Sequence, residues 1–151
     1  MTGAGLEISD DPVRLDRTMI HRFLSEPAYW CRGIPPEVVD RAIDGSLCFG
    51  AYRADRQLGF ARVVTDQATV AYLCDVFVLP AWRGRGVARG ILGAMDRHPA
   101  LQGLRRSLLF TRDMHPLYAR FGFAPLARPE RCMERLLAHP YSSTRDSEQT
   151  T

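Results

Sequence analysis

The stretch that most constrains this chain is residues 76–88, where a β-like segment leads directly into a helical one. Residues 69–79 are rich in β-branched and aromatic side chains, and apolar residues recur at helical spacing from Val87 onward. Between them lies a basic turn with two glycines, Arg83-Gly84-Arg85-Gly86. The first turn of a helix has unpaired backbone N–H groups and the positive end of the helix dipole. The junction therefore predicts an anion site, for which a diphosphate is the natural ligand.

Two common phosphate-binding motifs are excluded at this turn. The dinucleotide fingerprint requires a third glycine where Arg89 stands, and the P-loop requires a Gly-Lys-Ser/Thr sequence that the chain lacks. The two glycines permit positive φ and a close approach of a ligand to the backbone. A Gly-x-Gly pattern alone is a weak signal, and a basic turn before a helix would also explain it.

The composition is that of one ordinary domain. The chain has 151 residues, of which 46% are hydrophobic and 25% charged, so it can bury a core without disulfides or metals. We expect one domain over residues 1–140 and a tail without fixed structure over residues 141–151, where no apolar side chain follows Tyr141. The net charge of +3 favours an anionic ligand but is too small to indicate nucleic acid.

Cysteine usage and hydropathy indicate the compartment. Four cysteines lie far apart, with no Cys-x-x-Cys pair and no Cys/His spacing typical of a metal site. We interpret them as buried or half-buried free thiols in a reducing compartment. The sequence also shows no secretory signal and no apolar run of the roughly 20 residues that a membrane span needs. We therefore expect a cytoplasmic protein without a metal and without membrane association.

Hydrophobic periodicity predicts a mixed α/β domain with the order β-α-α-β-β-β-α-β-α-β-β. An antiparallel meander comes first, a β-α-β unit follows, and helices cover both faces of the sheet. Asp113 is a candidate N-cap for the last helix, which should end at Gly122. The predicted strands are residues 6–8, 47–52, 58–64, 69–79 and 104–110, then Phe123 and residues 133–136, and the predicted helices are residues 15–24, 38–43, 83–98 and 113–121.

Two motifs together resemble the GNAT superfamily of N-acetyltransferases. Val78-Leu79-Pro80 followed by Arg83-Gly84-Arg85-Gly86-Val87-Ala88 is similar to the core motif of that family. About 30 residues later, Leu117-Tyr118-Ala119-Arg120-Phe121-Gly122-Phe123 resembles the signature that ends its later helix. The resemblance covers residues 47–137. Two positions depart from the usual pattern: Thr111 replaces an Asn that touches the cofactor, and Met114 replaces a small Ala.

The resemblance implies a binding mode for acetyl-CoA. The backbone N–H groups of Arg83, Gly84, Arg85, Gly86, Val87 and Ala88 would hold its pyrophosphate. Phe77 and Val78 would line a gap between two strands into which the acyl-pantetheine arm inserts, and Thr111 would lie near that arm. Tyr118 corresponds to the general acid that protonates the CoA sulfur. A phenol with a pKa near ~10 stays protonated at neutral pH and suits that role, although a core aromatic on a helix face is the alternative.

The remaining candidates have competing interpretations. Asp75 is the one charged residue in an apolar strand, on the same face as Phe77. It could take the proton of the amine through water, bind an ammonium group, or pair with Arg62 on the neighbouring strand. His115 is a candidate base, a substrate contact or a surface residue. Tyr29 and Trp30, in the loop after the first helix, either form the acceptor pocket or plug the core.

These features predict an acetyl-CoA-dependent N-acetyltransferase that acts on a primary amine of a small acceptor by direct attack in a ternary complex. One alternative is a non-catalytic module that binds acyl-CoA as a sensor, against which the presence of Tyr118 argues. Another is a nucleic-acid-binding protein that uses the basic turn and Arg105-Arg106. The low charge and the lack of interleaved aromatics argue against it, so we expect no nucleic-acid partner. A homodimer is compatible with the sequence.

Overall fold

The structure, a computed structural model, describes residues 5–141. Its five strands are β1 (Leu6–Ser9), β2 (Leu47–Arg53), β3 (Arg56–Thr65), β4 (Val70–Val78) and β5 (Arg106–Leu109). Its four α-helices are α1 (Arg17–Ser25), α2 (Pro36–Asp44), α3 (Val87–Arg97) and α4 (His115–Ala119). The predicted α/β class is confirmed, and these nine elements follow the predicted order. The tail expected beyond Tyr141 lies outside the described residues.

The five strands form one sheet in the order β1-β2-β3-β4-β5. The first four strands pair antiparallel with their neighbours, as the short predicted turns require, and β5 pairs parallel to β4. Helix α3 is the crossover between these two parallel strands. No helix within residues 5–141 is both long enough and apolar enough to cross a membrane.

Each face of the sheet has its own hydrophobic core. On one face, α1 and α2 pack over Phe60 and Phe77, and the ring of Phe77 stacks on that of Phe23 with centroids 4.0 Å apart. On the other face, α3 and α4 cover Phe49, Val78 and the neighbouring apolar side chains. Helices therefore cover both faces, as predicted, and β4 contributes Phe77 to one core and Val78 to the other.

A buried glutamine ties α1 to the sheet. Gln57, the second residue of β3, is 4% exposed. Its Oε1 accepts from the Asp16 N–H at 2.7 Å, and its Nε2 donates to the Gly59 carbonyl at 3.0 Å. The Asp16 carboxylate in turn caps α1 by accepting from the Met19 N–H at 3.0 Å. This chain of bonds fixes where α1 begins relative to β3.

The two predicted C-terminal strands are wrong. Between α4 and Tyr141, the described chain forms only a short 3-10 turn, Pro129–Arg131. Phe123 follows α4 and packs edge-on against Tyr118, with ring centroids 6.2 Å apart. In the 133–136 segment, Met133 is 94% exposed, and no strand in residues 5–141 pairs with the segment. A strand needs a partner for its backbone groups as well as apolar side chains, and only the side chains are visible in a sequence.

Two predicted helix starts also need correction. Helix α3 begins at Val87 rather than Arg83, because Gly84 and Gly86 adopt φ values of +73° and +80°, which a right-handed helix cannot contain. Helix α4 begins at His115, and Asp113 does not cap it. The Thr111 hydroxyl instead accepts from the Met114 N–H at 3.0 Å. The helix ends at Ala119 rather than near Phe121.

Candidate functional site

The turn before α3 presents a row of unpaired backbone donors, which we call the N–H cradle (residues 84–89). The first hydrogen bond of the helix is donated by the Gly90 N–H to the Gly86 carbonyl at 2.9 Å. Within residues 5–141, none of the six preceding N–H groups has an acceptor. A Cβ placed on Gly84 or Gly86 would meet nothing within 4 Å. Open space in front of several donors and the positive end of a helix fits an anion with several oxygens.

Side chains beside the cradle hold its shape and add charge. The Arg83 Nε donates to the Val78 carbonyl at 3.2 Å and so ties the turn to the end of β4. The Arg85 guanidinium lies 5.1 Å from the ring centroid of Trp82, and the Arg53 guanidinium lies 5.4 Å from the same ring. The sequence analysis did not single out Trp82. Trp82 orients the guanidinium groups of Arg85 and Arg53. Because Arg53 lies in β2, no local motif reveals this contact.

Strands β4 and β5 separate about halfway along β4. We call the gap between them the β4–β5 opening. Their pairing runs from Val70 opposite Arg106 to Leu73 opposite Leu109 and then ceases. Just beyond, the register between β4 and β3 shifts, and Asp75 has a φ of +54°. This β-bulge bends β4 at the point where β5 leaves it. On that side, the backbone groups of residues 74–78 have no strand partner in the described chain.

Tyr118 lies in α4, on the same side of the sheet as the cradle. It is 9% exposed and belongs to the α3–α4 core. Burial raises the pKa of its phenol above the usual value near 10, and the nearby Tyr29 raises it further. Its hydroxyl has no hydrogen-bond partner within residues 5–141. A protonated phenol at the rim of a core is a proton donor at neutral pH.

Asp75 is held by two donors on the α1–α2 face. Its Oδ1 accepts from the Trp30 Nε1–H at 2.9 Å, and its Oδ2 accepts from the Arg62 Nε at 2.8 Å. The side chains of Arg62 and Asp75 are 18% and 12% exposed, and Arg62 also donates to the Ser46 hydroxyl at 3.0 Å. Of the three interpretations of Asp75, the pairing with Arg62 is therefore observed. The same carboxylate fixes the Trp30 ring at the β4–β5 opening.

The loop between α1 and α2 forms an aromatic lip over this region. The rings of Tyr29 and Trp30 meet edge to face with centroids 5.1 Å apart. They are 45% and 44% exposed, so the interpretation as a hydrophobic plug is wrong. The Arg112 guanidinium lies 4.0 Å from the centroid of the Tyr29 ring. The sequence analysis missed Arg112, because its partner is more than 80 positions away and no spacing links them.

The other predicted residues serve mainly through their backbone or their position. The side chain of Phe77 is buried in the core under α1 and α2, and those of Val78 and Val87 are buried in the core under α3 and α4. Only the main chains of these three residues can therefore face a ligand. The Thr111 hydroxyl accepts from the Met114 N–H in the turn that precedes α4. His115 is exposed at the first position of that helix. The structure thus gathers Tyr118, Tyr29, Trp30, Asp75 and Arg62 around one end of the opening, with the cradle at the end of β4.

Three comparisons with known proteins agree with this geometry. Residues 44–125 match the family model described as the acetyltransferase (GNAT) domain. A candidate acetyltransferase of Gibberella zeae is 33% identical over 135 residues, and the match covers 75% of each chain. A candidate GNAT-family acetyltransferase of Xanthomonas campestris pv. campestris, solved by crystallography, is 51% identical. It superposes with a TM-score of 0.89 over 91% of this chain and 96% of its own.

A more distant crystal structure shows the same fold. A candidate acetyltransferase of Clostridium acetobutylicum, crystallised with acetyl-CoA, superposes with a TM-score of 0.61 over 87% of this chain and 95% of its own. At 16% identity, this likeness demonstrates the shared fold alone.

Proposed function

We propose, from the premise that this chain belongs to the GNAT acetyltransferase family, that it transfers an acetyl group from acetyl-CoA to a primary amine. The observation that carries the proposal is the N–H cradle at the end of the same strand that bends away from β5. A diphosphate in the cradle and an acyl arm along the opening would use both features at once. Acetyl-CoA, when bound, supplies the thioester that the amine attacks.

The fit of acetyl-CoA is supported by the space and the donors already present. A Cβ at Gly84 or Gly86 would meet nothing within 4 Å, and the six N–H groups of residues 84–89 have no acceptor in the described chain. Arg85 and Arg53 add positive charge beside them. In the opening, β4 backbone groups without a strand partner can hydrogen-bond the acyl arm as a neighbouring strand would.

Tyr118 is the proposed general acid. Its raised pKa keeps the phenol protonated across the neutral range, so the hydroxyl can donate a hydrogen bond, and with it a proton, toward the sulfur as negative charge develops there. Proton donation of this kind typically accelerates a reaction by roughly 10²–10⁴-fold. His115 remains a candidate base at the exposed start of α4, from which it could receive the proton of the amine directly or through water.

We assign Asp75 a positioning role in this reaction. Its two oxygens are committed to Trp30 and Arg62, so it holds the aromatic lip in place, and transfer of the amine proton to it would weaken both bonds. Trp30 and Tyr29 then line the acceptor side of the opening. A small amine that enters between the lip and Tyr118 would attack directly in a ternary complex. The free thiols at Cys31, Cys48, Cys74 and Cys132 suit the reducing cytoplasm.

The proposal is tested by turnover of acetyl-CoA against a library of primary amines. Release of free CoA thiol and the mass of the acetylated product are measured for the wild type and for Tyr118→Phe. We expect turnover with at least one amine, and a loss of roughly 10²–10⁴-fold in kcat for the variant with little change in KM for acetyl-CoA. Tight binding of acetyl-CoA without turnover on any amine would instead favour the non-catalytic sensor.

A further inference from the structure

A cation at the aromatic lip has no anionic partner in the described chain. The guanidinium of Arg112 lies 4.0 Å from the centroid of the Tyr29 ring, and the residue is exposed. Within residues 5–141, Arg112 forms no salt bridge and its side chain donates no hydrogen bond. An arginine carries several N–H donors in a planar fork. Because the contact with the ring face restrains the guanidinium without using these donors, they stay available to a ligand.

A chain of contacts connects Arg112 to both strands that border the β4–β5 opening. Asp75, at the bulge in β4, accepts from the Trp30 indole N–H at 2.9 Å, and the Trp30 ring meets the Tyr29 ring edge to face. Tyr29 in turn contacts the guanidinium of Arg112, which follows β5 after two intervening residues. The lip is therefore attached to β4 through Trp30 and to the end of β5 through Arg112.

Tyr29 also links Arg112 to the proposed general acid. Tyr29 is near enough to Tyr118 to raise the pKa of the Tyr118 phenol, and the Tyr29 ring is in contact with Arg112. These three side chains therefore form one group at the same end of the opening. An acceptor whose amine lies beside Tyr118 can reach Arg112 with a second group only a few atoms from the amine.

The charges around the lip favour an anion at this place. The Asp75 carboxylate is bound by Arg62, with Oδ2 and Nε 2.8 Å apart, so this pair contributes little net charge. Asp113 is the next residue after Arg112, but it forms no salt bridge in the described part of the chain. The positive charge of Arg112 is thus left without a carboxylate of the protein.

The other guanidinium groups that lie over aromatic rings support this interpretation. The Arg14 guanidinium lies 4.2 Å from the centroid of the Tyr52 ring and is paired with Glu7. Those of Arg53 and Arg85 lie over Trp82 beside the N–H cradle and have no carboxylate partner among residues 5–141. Arg112 shares this second arrangement, which at the cradle accompanies a proposed anion site.

We propose that the acceptor is an amino acid, whose carboxylate is bound by Arg112 while its amine attacks the thioester beside Tyr118. This rests on the proposed function and names its class of substrate. A guanidinium binds a carboxylate through two parallel N–H···O bonds, and a single arginine matches its single charge. A phosphate group carries nearly two charges at neutral pH and would need a second cation. The exposed rings of Tyr29 and Trp30 offer apolar faces to the side chain of the amino acid.

The reaction of such an acceptor balances without a further reactant. The amine nitrogen forms a bond to the acetyl carbon as the bond between that carbon and sulfur breaks. The sulfur takes a proton from Tyr118 and leaves as the CoA thiol. The nitrogen releases one proton to water, and a proton from water restores the phenol. Arg112 takes no part in these steps, so its role is to bind and orient the acceptor.

The test compares each common amino acid with the corresponding amine that lacks the carboxylate, such as phenylalanine with phenethylamine. Release of CoA thiol gives kcat and KM for the wild type and for Arg112→Gln. We expect the wild type to prefer the amino acid of a pair. Arg112→Gln should raise KM for amino acids by roughly 10–100-fold, because hydrogen bonds to a charged group are lost. KM for the amines without a carboxylate and for acetyl-CoA should not change.

Two further variants separate recognition from a general effect of charge. Arg112→Lys keeps the charge but loses the planar fork, so its KM for amino acids should lie between those of the wild type and Arg112→Gln. Arg106→Gln is the matched control, because Arg106 is an exposed arginine at the other end of β5, and it should behave like the wild type. Thermal melts of each variant confirm that it is folded.

The outcomes distinguish this proposal from the one on which it rests. Turnover of amines with no preference for a carboxylate would overturn the assignment of Arg112 and leave the acetyltransferase proposal intact. The same holds if Arg112→Gln raises KM equally for both members of a pair, or raises it for acetyl-CoA instead. Absence of turnover with every acceptor would overturn the proposed function, and this proposal with it.

Discussion

The substitution Gly86→Ala tests two roles of the cradle turn separately: its contribution to stability and its contribution to acetyl-CoA binding. Gly86 has a φ of +80° and is the N-cap of α3. An L residue in the left-handed region costs roughly 1–2 kcal/mol. For a domain of this size, that loss lowers Tm by roughly 2–8 °C. A Cβ at this position meets no atom within 4 Å, so backbone strain is the only expected source of the loss.

The same substitution should also weaken acetyl-CoA binding, and the lost binding free energy should exceed the cost of the backbone strain. Relief of the strain turns the backbone at residues 86–87, so at least one N–H of the cradle no longer points at the anion. A hydrogen bond to a charged group is worth roughly 1.5–3 kcal/mol, so the loss of one raises Kd by roughly 10–100-fold. Titration calorimetry with acetyl-CoA measures Kd, and differential scanning calorimetry measures Tm.

Gly103→Ala is the matched control. Gly103 has a φ of +69° and equally open surroundings. It lies beyond the far end of α3, and the 11 residues of that helix span roughly 16 Å. We expect the same fall in Tm with an unchanged Kd. If Gly86→Ala lowers Tm as Gly103→Ala does and leaves Kd at the wild-type value, the diphosphate does not bind at the cradle and the reasoning fails.

Three further predictions concern packing and ionisation. Gly50→Ala places a methyl group 2.6 Å from Cζ of the buried Tyr52. This overpacking should cost about 1–3 kcal/mol of unfolding free energy, and a variant that melts like the wild type would refute it. Burial raises the pKa of the Cys31 and Cys74 thiols to about 12. A thiol reagent near neutral pH should therefore modify at most one of the four cysteines of the folded chain, and fast reaction of two or more would contradict this. Unfolded thiols titrate near ~8.5, so above that pH the unfolded chain loses protons that the folded chain retains. Urea denaturation should then show a free energy of unfolding that falls from pH 7 to pH 10, and a rise would reverse the sign.

The nine elements up to α4 could be predicted because each carries a local signal. Apolar residues alternate or recur at helical spacing within each element, and short polar turns separate the meander strands. The candidate anion site was also predictable locally, since the alternating arginines and glycines of residues 83–86 lie at a strand–helix junction. The family resemblance then related this junction to Tyr118, whose own helix has too short a periodic pattern to indicate a function.

Features that depend on distant contacts were not predictable in this way. The alternation in β4 predicted a regular strand, whereas Asp75 adopts a positive φ at the β-bulge between β4 and β3. In the sequence, Gln57 cannot be distinguished from an exposed polar residue. Its burial depends on the packing of α1 beside it. The apolar residues around Met133 predicted a strand, but a strand also needs a partner for its backbone groups, and no strand in residues 5–141 pairs with that segment.

The amide spectrum of ¹⁵N-labelled protein during a titration with acetyl-CoA tests the central claim most directly. In the proposed binding mode, the diphosphate lies at the cradle and the acyl arm lies in the β4–β5 opening. We therefore expect the largest shifts at the amides of residues 84–89 and 74–78, with smaller ones around Tyr118. Shifts confined to another region, such as a cavity lined by Leu73, Ser107 and Phe123, with no change at residues 84–89, would contradict this binding mode.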